Sequence, residues 1–203
     1  MKKILIGTTN PSKVKRFETL LSEYGFEFCT LKDLDIKEEP DETGTTPAEN
    51  AAIKAKFYGQ YNDFVICNDS GLYFSDLDLS DERQPGLKVR SPQGVRLNDE
   101  EMIAYYLNLV KNLGGKVKAY YLDGFAVYNR DKIMSFMDVE ASEKNSFYMV
   151  TELSEKRREG WPLDSMSKTA NQQYFTDVNN EVIIINEYEN RVKEFLENAL
   201  DIK

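Results

Sequence analysis

The first thirty residues constrain the fold more than any other stretch. Lys2 to Thr8 reads as a strand, with Ile4, Leu5 and Ile6 as a short buried run. A loop, Thr9-Asn10-Pro11, follows, and Ser12 is placed to cap a helix running to about Tyr24. Val14, Phe17, Leu21 and Tyr24 fall on one face of that helix. Gly25 stops it, and Phe26 to Leu31 reads as a second strand. A strand, a helix and a strand in immediate succession point to an α/β fold.

Asp33 to Gly44 is an acidic loop. Thr46-Pro47-Ala48-Glu49 then starts a helix twice over, with a capping box and a proline at the first helical position, and that helix runs to about Tyr58. Phe64 to Cys67 reads as a buried strand ending in Asn68-Asp69-Ser70-Gly71. Residues 75–97 read as a polar loop. Asn98 and Glu101 open a third helix, with Met102, Tyr106, Leu109, Val110 and Leu113 as its apolar stripe, and Gly114 ends it. Residues 116–150 alternate like antiparallel strands, with a hairpin turn at Asn129-Arg130-Asp131. After Gly160 the pattern is irregular. Val182 to Ile185 reads as a last strand and Glu187 to Leu200 as a last helix.

A chain of 203 residues suits one domain spanning 1–203, with room for two lobes. The absence of histidine excludes Ser-His-Asp hydrolysis and His-ligated zinc. Any hydrolysis must run on carboxylates, lysines and metal. A net charge of -9 argues against a general nucleic-acid binder, so a polyphosphate substrate needs local cations or a bridging metal. Cys29 and Cys67 sit in apolar runs and read as buried free thiols. No stretch approaches the roughly 18 to 20 apolar residues of a membrane span. The expectation is a cytoplasmic protein with no membrane partner and no nucleic-acid polymer as partner.

Three sets of polar residues stand where chemistry is expected. Thr8, Asn10 and Lys13 lie in a strand–loop–helix turn, the kind that aims N–H groups at an anion. Asp41 and Glu42 precede the capped helix that carries Lys54, and hard cations such as magnesium take carboxylate oxygens. Asp69 follows a buried strand, where it can ligate metal or deprotonate water. Each set alone has a plain reading as a capped helix, a solvated loop or a turn. Together they make one constellation.

Three blocks in that region resemble the inosine/xanthosine triphosphate pyrophosphatases. They are TTNPSK (8–13), DETGTTPAENAAIKA (41–55) and NDSGL (68–72), in the family's order and spacing. Weaker echoes follow at Pro85-Gly86, GWPLD (160–164) and SKTA (167–170). The resemblance implies an elongated, two-lobed α/β domain with a long mixed sheet and flanking helices, and a homodimer. It implies hydrolysis of a nucleoside triphosphate to the monophosphate and pyrophosphate with Mg2+, for which Mn2+ can substitute. Thr8, Asn10, Lys13 and Lys54 would meet the triphosphate, and Ser70 the substrate. Asp41, Glu42 and Asp69 would hold metal, with Asp69 also the base. Trp161 and Asp164 would lie against base or sugar.

The departures are as specific. The family's C-terminal Ser-His-Arg, which grips the purine, is replaced here by the stretch around Asn186-Glu187-Tyr188-Glu189, with Arg191 nearby. Asn68 stands for the first acid of the family's D-D-S-G-L, and Pro47 for an aromatic. The catalytic half is retained and the base-reading half rewritten. The alternatives are a nucleotide-binding protein without turnover, or a hydrolase of another phosphorylated metabolite on the same scaffold.

Overall fold

The structure is a computed structural model that describes residues 2–158, 160–178 and 186–202, with only the backbone of Gln93. The strand expected over Val182–Ile185 lies outside the described residues. The chain is mixed α/β, and hydrogen-bonded pairing gives a seven-stranded mixed sheet in the order β2-β1-β3-β4-β6-β7, with β5 on β4. Contacts divide the chain into two compact units.

The first unit runs from the N-terminus to Ser70 and adds Asp123–Asp138 and the C-terminal helix. Its strands β1 (Lys3–Ile6), β2 (Glu27–Thr30) and the start of β3 (Phe64–Phe74) pair in parallel. Helices α1 (Pro11–Leu20) and α2 (Pro47–Tyr58) are the connections that parallel pairing requires. Leu5, Cys29, Ala51, Ala55, Val65 and Cys67 form its core. Both cysteines are free and buried, and burial pushes the Cys67 thiol up to about 12, so it is inert near neutral pH.

The second half of β4 (Lys116–Asn129) and β5 (Lys132–Met137) form the expected hairpin. Arg130 and Asp131 both adopt positive φ, 47° and 74°, as a two-residue turn matched to the strand twist demands. Gly124 on β4 lies against the first turn of α2, where an added Cβ would sit 2.1 Å from the Ala48 nitrogen. Helix α5 (Glu187–Ala199) buries Tyr188, Val192 and Leu196 along one stripe.

The second unit holds Gly71–Leu122 and the chain from Val139 to β7 and the turns beyond it. Helix α3 (Asp99–Asn112) has the reciprocal capping box expected of Asn98 and Glu101. It packs Met102, Tyr106 and Val110 with Leu72, Phe74 and Met149. Strands β6 (Phe147–Val150) and β7 (Ser167–Lys168) extend β4 in antiparallel pairing.

Several local expectations are corrected. The α1 cap is Asn10, not Ser12, and the helix ends at Leu20 before a 3-10 turn at Ser22–Tyr24. Strand β3 does not stop at Cys67; it continues to Phe74, so Asn68-Asp69-Ser70-Gly71 is strand rather than turn. Turn-forming residue types are overridden there by side-chain partners described below. Helix α4 (Val139–Lys144) interrupts what alternation alone reads as strand. No helix among the described residues is long and apolar enough to cross a membrane.

Candidate active site

Asn10 organises the turn after β1. Its side-chain oxygen accepts the Ser12 and Lys13 backbone N–H groups at 2.9 and 3.4 Å, and its own N–H donates to Thr8 Oγ1 at 3.2 Å. The helix N–H groups expected to face an anion are thereby partly taken by the cap. What the turn offers a phosphate is the Thr8 hydroxyl hydrogen and the Lys13 side chain. The Lys13 ammonium has no hydrogen bond or ion pair among the described residues. Burial pushes it below the usual lysine range; Asp123 and Asp69 oppose that shift, while Lys54 and Arg16 add to it.

The second and third sets converge on one ammonium. Lys54 Nζ, on α2, lies 2.8 Å from Asp69 Oδ1 and 3.1 Å from Glu42 Oε1. Burial opposes its charge, but the Asp69 and Glu42 carboxylates outweigh that and raise it. Asp69 Oδ2 accepts from Asn50 Nδ2 at 3.2 Å, and Asn50 Oδ1 accepts the Gly44 N–H at 2.8 Å. A single buried amide thus links the end of the acidic loop to the strand acid. Thr46 caps α2 as expected, but Glu49 reaches Thr45 rather than closing the box.

Asp41 does not join this group. It is exposed and unpaired among the described residues, whereas Glu42 is tied to Lys54. Among the described residues no group of three or more acids or cysteines stands close enough to hold an ion. The donor set still fits magnesium, which takes oxygen ligands and is commonly held by one or two carboxylates plus substrate phosphates and water.

Two residues that motif reading did not assign, Asp123 and Arg16, lie beside these. Asp123, on β4, accepts from the Ser70 hydroxyl at 2.6 Å and from Arg16 Nη1 at 2.7 Å. Arg16, on α1, also grips Glu189 of α5 in bidentate fashion at 2.8 and 3.1 Å, with its guanidinium 4.9 Å from the Phe125 ring centre. Burial pushes the Asp123 carboxyl up, but Arg16, Ser70 and Lys13 together hold it below the usual range. Both oxygens of Glu189, which lies in the stretch that replaces the family's purine-gripping element, are thus paired. The signal available in sequence was a lone Arg on the inner side of α1 and a lone Asp inside an apolar strand pattern.

Trp161 and Asp164 belong to the second unit. Trp161 is 37% exposed. The Asp164 carboxylate is buried and meets Arg158 at 2.7 Å. Burial raises its pKa to about 6 against the pull of Arg158.

The Ham1 family profile matches residues 4–142, more than half the chain and all of the α1, α2 and β3 site elements. The chain belongs to the Ham1 family. The dITP/XTP pyrophosphatase of Thermoanaerobacter pseudethanolicus is 36% identical over 132 residues, covering 64% of this chain and 65% of that protein. The one from Listeria monocytogenes is 40% identical over 116 residues, covering 57% and 54%. The matched region spans less than two thirds of these curated relatives' length. The Staphylococcus aureus Ham1 protein shares the fold at a TM-score of 0.70 and 20% identity, over 97% of this chain and 99% of that one. A Coxiella burnetii HAM1 protein does so at 0.70 and 20%, over 98% and 96%. The Ham1 match ends before α5, the helix that carries Glu189.

Proposed function

We propose that this Ham1-family protein is a metal-dependent nucleoside triphosphate pyrophosphatase. The observation that carries the reading is the grouping of an unpaired Lys13 ammonium on α1 with the ion-paired Lys54 of α2 and Asp69 inside β3, which act on it electrostatically. Two cations beside one strand carboxylate suit a polyanion that must be attacked by water. Lys13 and the Thr8 hydroxyl meet the phosphates. Lys54 is pre-paired and gives its charge to the substrate as the polyphosphate enters. Asp69 takes the proton of the attacking water as oxygen bonds to the α-phosphorus. The bond to the bridging oxygen breaks, and pyrophosphate leaves with that electron pair. Magnesium would be held by Asp69 and Glu42, with Asp41 beside Glu42 on the same loop, and would neutralise phosphate charge.

The test is a nucleotide panel assayed for pyrophosphate against orthophosphate. Pyrophosphate is expected with magnesium or manganese, and none in excess chelator. Undiminished release in chelator would refute the metal role. Tight nucleotide binding with no release would point to a sensor instead, and orthophosphate release to another hydrolase.

Base preference follows from α5. Arg16 occupies both Glu189 oxygens, and Glu187 is an exposed acceptor, whereas a hypoxanthine keto oxygen needs a donor. The expected kcat/KM ratio of inosine to adenosine triphosphate is below about a hundredfold, or about 2.7 kcal/mol. A larger ratio would show that the keto group is read by donors elsewhere.

A further inference from the structure

We infer that Asp123 is a positioning residue for this reaction: its carboxylate ties the helix that carries Lys13 to the strand that carries Asp69. The inference rests on the pyrophosphatase reading above.

Ser70 directly follows Asp69 on β3, and its hydroxyl donates to Asp123 Oδ1 at 2.6 Å. Arg16 stands three residues after Lys13 on α1, so the two share a helix face, and it donates to Asp123 Oδ2 at 2.7 Å. One carboxylate thus joins the element of the phosphate-binding cation to the element of the base. Charge assistance makes both bonds short and directional. The backbone beneath them is fixed by the contact of Gly124 with the start of α2. The only hydroxyl proton of Ser70 is committed to this link, and its oxygen accepts from Asn68 Nδ2 at 3.3 Å. Ser70 is therefore a link rather than a donor to phosphate.

Two features separate positioning from plain stabilisation. Glu189 alone suffices to neutralise Arg16, so a second buried carboxylate adds a desolvation cost without being needed for pairing. A negative charge beside Lys13 also works against the affinity for a polyanion. What Asp123 contributes beyond these costs is the bond to Ser70, which is geometric. Misplacement of reacting groups by about 1 Å costs on the order of 100-fold in rate.

The experiment compares wild type, Asp123→Asn, Ser70→Ala and the double variant. It reads kcat and KM for pyrophosphate release, the Kd of a non-hydrolysable triphosphate analogue, and thermal melting. Each single variant is expected to lower kcat roughly 10- to 100-fold. Analogue Kd should not weaken beyond about threefold, because Asp123→Asn removes a negative charge and Ser70→Ala removes none. The double variant should be within about threefold of the worse single, since both break one link. Arg16 keeps Glu189, so Asp123→Asn does not leave that guanidinium without a partner; if the variant still melts below the assay temperature, Ser70→Ala carries the test alone. Folded single variants with wild-type kcat would overturn the role, as would multiplicative losses or a Kd that weakens while kcat is intact. A wild type that releases no pyrophosphate from any nucleotide brings down the pyrophosphatase reading and this role with it. Active wild type with unaltered variants overturns this role alone.

Discussion

Asp69→Asn is expected to leave the protein folded and able to bind nucleotide while cutting kcat by roughly 10² to 10⁴-fold, the usual worth of a positioned general base. Loss of metal ligation would deepen the fall. Folding should survive because the neighbours keep partners. Lys54 retains Glu42 at 3.1 Å, and an asparagine oxygen can still accept from Asn50. The measurement is steady-state pyrophosphate release beside an analogue-binding titration. Near-normal turnover in a folded variant would mean that another group takes the proton.

Gly124→Val should produce the largest loss of stability. The new Cβ would sit 2.1 Å from the Ala48 nitrogen and 2.2 Å from the Pro47 carbonyl carbon, both backbone atoms of the α2 start. Neither can rotate away, so strand and helix must part. Overpacking that only side chains absorb costs about 1 to 3 kcal/mol, and a backbone clash should reach or exceed the top of that range. For a chain of this size that is a fall in Tm of about 6 to 12 °C. Gly25→Ala is the control. Its φ of 62° strains an alanine, but nothing lies within 4 Å, so the cost should be about 1 to 2 kcal/mol. Equal melting of the two variants would show that β4 and α2 have room to separate.

Much of this architecture was legible in the residues. The β1–α1–β2 opening, the Thr46 and Asn98 caps and the Asn129–Lys132 hairpin are local patterns, set by periodicity and turn chemistry. Some misreadings were local, such as the α1 cap at Asn10 rather than Ser12; others were decided by distant partners. Asn68 to Gly71 has the composition of a turn, and only pairing and the bonds of Asp69 to Lys54 and Ser70 to Asp123 keep it extended. Motif order put Lys54 and Asp69 in one constellation, but did not foretell their ion pair. The network of Arg16, Asp123 and Glu189 was not anticipated, because its members lie 107 and 173 positions apart and no spacing rule connects them. Glu189 shows the same limit: its chemistry as an acceptor was evident, but the donor that claims it lay at the other end of the chain.

The unbroken course of β3 bears on which sequence changes this protein can absorb. Neighbouring residues of a strand project to opposite faces, so Asp69 turns toward α2 while Ser70 takes the other side. Substitutions within β3 alter one contact at a time. A single residue inserted ahead of Asn68 would do something different in kind: it would carry the acid to the Ser70 side and bring the Asn68 amide to face Lys54, exchanging the partners at once. Length is thus the property of this segment under the tightest constraint, and homologous chains that keep these partners should vary in its letters but not in its count.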